Sequence, residues 1–103
     1  MNNEKFQEYK PVAKFYYVDN AIYFEYNNNI VPANINSIQD FINELKYPCK
    51  IIFVGIPITF IGEILDMFVE DEIKSVCYRE IDNKTNETIY NVVIIKNEKI
   101  KKL

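Results

Sequence analysis

Cysteine thiols and carboxylates are the side chains of this 103-residue chain that could take part in chemistry. The chain has no histidine, so it cannot form a Ser-His or Cys-His nucleophile pair, and it has no imidazole to bind a metal ion. Cys49 and Cys77 stand in apolar runs without metal-ligand spacing, which predicts two small buried side chains in a reducing compartment. We therefore expect no catalytic residue, no metal and no cofactor.

Most carboxylates of interest belong to one predicted helix. An apolar stripe at helical spacing is formed by Ile61, Ile64, Leu65 and Phe68. Acidic residues lie on the opposite side of this helix or just after it: Glu63, Asp66, Glu70, Asp71 and Glu72. Carboxylates spread along a helix do not converge on one ion as those of a compact loop do, so a metal site is the least favoured interpretation. The alternatives are a solvated face and a negative surface for a basic partner.

Tyr16 and Tyr23 form a second candidate site. They belong to two aromatic runs, and the Asp-Asn pair between these runs tolerates the positive φ of a type I′ hairpin turn. Pairing Val18 with Ala21 would set the whole register of the hairpin. The matched pairs are then Phe15 with Phe24 on one face, and Lys14 with Glu25 and Tyr16 with Tyr23 on the other. The tyrosine pair could stabilise the sheet, contact a protein, or stack on single-stranded nucleic acid.

The charge distribution argues against nucleic acid as a ligand. The net charge is −3, and because residues 96–103 carry four lysines against one glutamate, the first 95 residues carry −6. Non-specific affinity for nucleic acid comes mainly from lysine and arginine on phosphates. The chain also shows neither a long apolar run nor a signal-peptide pattern, so we expect a cytoplasmic protein that binds no membrane.

The elements that must position these side chains predict an α+β fold. We expect one two-layer domain over residues 1–103, with a loose N-terminal arm at 1–9 and a basic tail at 97–103. Residues 51–54 are all apolar, without alternating polar side chains, which predicts a central strand covered on both faces. A second helical stripe contains Ile38, Phe41, Ile42 and Leu45, with a cap at Asn36 or Ser37. The element order ββ(β)αβαββ predicts a mixed sheet with both helices packed on one face.

These features favour a non-catalytic protein that binds and blocks a protein partner with a basic surface. The bias toward Ile, Asn, Lys and Tyr is typical of AT-rich coding sequence in bacteria and their phages. Anti-CRISPR and toxin-immunity proteins are small inhibitors of this kind, acting in a bacterial cell or a phage-infected host. The alternative is an accessory domain that forms a homodimer or larger oligomer through its sheet. An enzyme that uses a thiol or paired carboxylates is the least favoured hypothesis.

Overall fold

The computed structural model describes residues 9–68 and 73–96. The elements in these ranges are β1 (Pro11–Val18), β2 (Ala21–Tyr26), β3 (Asn29–Pro32), α1 (Ile35–Glu44), β4 (Cys49–Val54), α2 (Ile58–Asp66), β5 (Ile73–Ile81) and β6 (Thr88–Lys96). The predicted N-terminal arm, apart from Tyr9, and the predicted basic tail lie outside the described residues.

The strands form one mixed sheet with the order β3-β2-β1-β4-β6-β5. β4 pairs in parallel with β1 and antiparallel with β6, whereas the other neighbouring strands are antiparallel. The α+β class and the predicted central position of β4 are confirmed. β6 lies between two strands, as its almost continuous apolar run indicates.

The first hairpin has the predicted register. Val18 pairs with Ala21, and every further pair expected from this match is present. Asp19 and Asn20 both have positive φ, 50° and 67°, which is the requirement of the type I′ turn. The turn residues and the alternation of side chains therefore agree on one pairing.

Both helices pack on the same face of the sheet, as predicted. The core consists of side chains from that face, from the inner sides of the helices, from the loop before α2 and from the turn after it: Ala13, Phe15, Phe24, Ile38, Phe41, Cys49, Ile51, Phe53, Ile56, Ile61, Ile64, Phe68, Val92 and Ile94. We call the other side of the sheet the distal face. The side chains of Lys50, Ile52 and Val54 on the distal face of β4 are half-buried. The prediction that this strand is covered on both faces therefore holds fully only for the face on which the helices pack.

The N-terminus of α1 differs from the prediction. Asn34 is the capping residue, not Asn36 or Ser37: its side-chain oxygen accepts a hydrogen bond from the Ser37 backbone N–H at 2.8 Å. The Ser37 hydroxyl accepts in return from the Asn34 N–H at 2.9 Å. This reciprocal pair satisfies two backbone donors and makes Ile35 the first helical residue.

Candidate protein-binding surfaces

A concave surface lies between α1 and α2. This interhelical groove has a volume of about 480 Å³ and is lined chiefly by Ile22, Ile35, Ile38, Phe60, Glu63 and Ile64. Ile38 and Ile64 are buried and form an apolar floor, while the side chain of Ile35 is 75% exposed and that of Phe60 is 37% exposed. The groove thus combines a buried apolar floor with exposed apolar side chains at its rim.

The helical periodicity explains why these two side chains border the groove. Ile35 precedes Ile38 by three residues and Phe60 precedes Ile64 by four, so each extends the apolar stripe of its own helix. The sequence reasoning missed both residues, because it used each stripe only to identify the core. Their spacing was the available signal, but their exposure depends on where the two helices lie relative to each other.

Two of the five residues of the predicted acidic site belong to the part of the chain that the structure describes. Glu63 lies at the groove, and Asp66 is exposed three residues further along α2. Glu70, Asp71 and Glu72 lie outside the described residues. The structure therefore places one of these carboxylates, Glu63, in the lining of the groove, where it can bind a basic side chain next to an apolar contact.

The predicted tyrosine site lies elsewhere. Tyr16 and Tyr23 are paired across β1 and β2 on the distal face, and both side chains are half-buried. The Lys14 Nζ lies 5.7 Å from the centroid of the Tyr16 ring, a distance at which a cation interacts favourably with an aromatic face. Because α2 packs on the other face of the sheet, the structure does not bring the two tyrosines together with Glu63 and Asp66.

A small polar cluster occupies the distal face between β5 and β6. The side chain of Asn91 is only 3% exposed, and its amide donates to Glu80 Oε2 at 3.2 Å and to the Tyr78 carbonyl oxygen at 3.5 Å. The Lys50 Nζ lies 5.7 Å from the centroid of the Tyr78 ring. The buried amide thereby has hydrogen-bond partners, so the cluster stabilises the pairing of these two strands.

The two cysteines differ in environment. Cys49 is 3% exposed in the core, and burial raises the pKa of its thiol to about 11. Cys77 was predicted to be buried, but it is exposed; it stands on β5, the last strand of the sheet, where the core side chains of α1 and α2 do not cover it. Partial burial nevertheless raises the pKa of the Cys77 thiol, so in both cysteines burial disfavours the thiolate form.

Two other kinds of site are absent from the part of the chain that the structure describes. Within residues 9–68 and 73–96, no three aspartate, glutamate or cysteine side chains are grouped closely enough to hold a metal ion. None of the helices in these ranges has the length and apolar character needed to cross a bilayer.

Comparisons of the chain with protein-family models, curated proteins and solved structures gave no match. Function is therefore inferred from the interhelical groove and from Glu63 in its lining.

Proposed function

We propose that this protein is a non-catalytic binding protein that docks on a partner protein through the interhelical groove. The observation that carries the proposal is the pair of exposed rim side chains, Ile35 and Phe60, beside an apolar floor. Single exposed apolar residues are common on protein surfaces and need no explanation. Several of them around one concave apolar surface are typical of a binding site.

Two carboxylates of α2, one of them in the lining of the groove, support a partner with a basic surface. Glu63 and Asp66 are both exposed, and the whole chain carries a net charge of −3. A basic protein would be attracted over a distance, and this attraction accelerates association in a salt-dependent way. We therefore expect the partner to insert an apolar side chain between Ile35 and Phe60 and to place a lysine or arginine beside Glu63.

The biological role that fits best is inhibition or regulation by occupation of the partner's surface. The small chain lacks histidine and has an AT-rich residue bias, and these properties support a protein encoded by a phage or another mobile element. An anti-CRISPR or a toxin-immunity protein in the cytoplasm of a bacterial cell or phage-infected host would act in this way. Binding alone is sufficient for such a role, so no catalytic group is required.

The test begins with affinity capture of the partner from a bacterial host, followed by its identification and purification. Association rates are then measured at low and at physiological salt for the wild type and for Glu63→Gln/Asp66→Asn. The matched control is Glu25→Gln/Asp40→Asn, which removes the same charge from exposed positions outside the groove.

We expect the Glu63→Gln/Asp66→Asn variant to associate roughly two- to tenfold more slowly at low salt. Its association rate should also depend less on ionic strength. The control should lose less, because its charges lie farther from the contact. Equal rates for both double variants at both salt concentrations would show that the carboxylates beside the groove do not guide the partner.

A second candidate function is an accessory domain that self-associates through its sheet. The observation in its favour is the long and exposed strand β5 at one end of the sheet. Self-association and partner binding use different surfaces, so the protein could do both.

A further inference from the structure

The two ends of the sheet are very different. β3, at one end, has only four residues and finishes with Pro32, which cannot donate a backbone hydrogen bond. β5, at the other end, has nine residues from Ile73 to Ile81. No strand within the described ranges pairs with its outer edge. A long edge strand of this kind is a template for pairing with another strand.

The hydrogen bonds at the hairpin turn identify the backbone groups that face this outer edge. The Asp82 N–H donates to the Glu87 carbonyl oxygen at 2.9 Å, and hydrogen-bonded pairs alternate along an antiparallel ladder. Given the register of β5 and β6, the even-numbered residues of β5 therefore bond to β6. The N–H and C=O groups of Ser75, Cys77 and Arg79 point outward, and all three side chains are exposed.

We propose that β5 pairs antiparallel with β5 of a second copy of this chain, about a two-fold axis at Cys77. Since Cys77 is the middle residue of β5, this register pairs the strand along its whole length. It places Val76 opposite Tyr78, and Ser75 opposite Arg79. An aromatic residue facing a β-branched residue is a favourable cross-strand pair. By symmetry each of these pairs occurs twice.

Two other symmetric registers, centred on Arg79 and on Ser75, fit less well. A centre at Arg79 would place two arginines directly opposite each other, and like charges in that position destabilise a sheet. A centre at Ser75 would pair only residues 73–77 within the strand. In the Cys77 register, by contrast, Arg79 lies opposite Ser75, so the two copies do not place arginines against each other.

The resulting dimer has a continuous sheet, with six strands from each copy. In an antiparallel pair, directly opposed side chains lie on the same side of the sheet, so the helices of both copies would lie on one side. The interhelical groove is built on β2 and the helices, and three strands separate β2 from β5. Dimerisation therefore leaves both grooves open and makes the protein bivalent, independently of whether the groove has the proposed function.

The first test is the mass of the full chain in solution, measured by sedimentation velocity and light scattering over a wide range of concentrations. We expect twice the mass of one chain at high concentration. Cys77→Pro removes an outward N–H without removing a bond to β6, and should give a monomer, whereas Cys77→Ser keeps the N–H and should remain a dimer. A wild-type monomer at all concentrations would overturn the proposal, as would a dimer unaffected by Cys77→Pro.

A charge exchange tests the register without altering the backbone, and it decides the matter even if Cys77→Pro does not fold. Ser75→Arg places arginines opposite each other and should weaken dimerisation about tenfold. The double variant Ser75→Arg/Arg79→Glu places opposite charges against each other and should dimerise nearly as the wild type does. Failure of the double variant to recover would contradict the register centred on Cys77.

Cross-linking gives a third readout. In a hydrogen-bonded antiparallel pair the opposed Cα atoms are about 5.5 Å apart, within the range that a disulfide spans. Diamide at mildly alkaline pH should take up two electrons and two protons from the two Cys77 thiols and leave a covalent dimer. Cys77→Ser should abolish this product, while Cys49→Ser should not. A covalent dimer that persists in Cys77→Ser would contradict the proposed axis.

Discussion

Phe15 is the residue around which the aromatic core is arranged. Its ring is stacked on those of Phe24 and Phe53, with ring centroids 4.9 Å apart in both pairs. It also makes an edge contact with the ring of Phe41, whose centroid is 5.9 Å away. Phe15 is fully buried, whereas the next residue, Tyr16, points to the distal face and is half-buried. Substitutions of Phe15 and Tyr16 therefore compare the two faces of β1.

Replacing Phe15 should be far more costly than replacing Tyr16. We expect Phe15→Ala to lower the free energy of unfolding by ~3–5 kcal/mol, the range for loss of a buried aromatic ring. Tyr16→Ala should cost less than half as much, because its ring is only partly removed from water. Urea unfolding of both variants measures the difference, and similar losses would show that the two faces of β1 are assigned wrongly.

Single residues also show what the sequence can predict at this scale. The positive φ of Asp19 and Asn20 was predictable, because it depends on the side chains of these residues themselves. The exposure of Cys77 was not, because it depends on the order of strands that are distant in sequence. Its apolar neighbours are those of a buried strand, and only its place at the end of the sheet exposes it.

At the scale of elements, the glycine within α2 and the glycine in the turn before it have different structural requirements. The helix follows Pro57, which makes no side-chain capping hydrogen bond. Gly62 lies in its middle, and a Cβ added there would meet no atom within 4 Å. Gly55, in the turn between β4 and α2, has φ of +67°, a conformation that residues with a side chain rarely adopt. One glycine is therefore replaceable and the other is required by the turn.

Alanine at these two glycines should change stability in opposite directions. Gly62→Ala should raise the free energy of unfolding by about 1 kcal/mol, since alanine has the higher helix propensity and the site has space. Gly55→Ala should lower it by ~1–2 kcal/mol, the cost of a left-handed conformation for a residue with a Cβ. Both values can be measured by urea unfolding. A loss of stability in Gly62→Ala would mean that α2 needs glycine for a reason other than space.

The elements themselves were largely predictable, because the apolar stripes of α1 and α2 and the alternation in β1 and β2 are local patterns. The start of α1 was placed too late. Asn34, Asn36 and Ser37 are all good capping residues, and the choice of Asn34 depends on how the chain leaves β3: the Ser37 hydroxyl also donates to the Pro32 carbonyl oxygen at 2.7 Å. A contact with the preceding strand thus decides a local boundary.

At the scale of the whole molecule, the candidate sites are separated by the sheet. The interhelical groove with Glu63 and Asp66 lies on the helix side, and Tyr16 and Tyr23 lie on the distal face. The sequence indicated each set, and the alternation in β1 and β2 already placed the tyrosines on the face opposite Phe15 and Phe24. The groove itself was not predictable, because it exists only through the relative position of α1 and α2.

The most direct test of the proposed function is the equilibrium dissociation constant of the purified partner for Ile35→Ser. This side chain is 75% exposed, so its replacement should change the stability of the fold by no more than about 0.5 kcal/mol. The matched control is Ile30→Ser, at a residue that is 62% exposed on β3 and is not among those lining the groove. We predict at least about tenfold weaker binding for Ile35→Ser and wild-type binding for Ile30→Ser. Wild-type binding by Ile35→Ser would contradict docking through the interhelical groove.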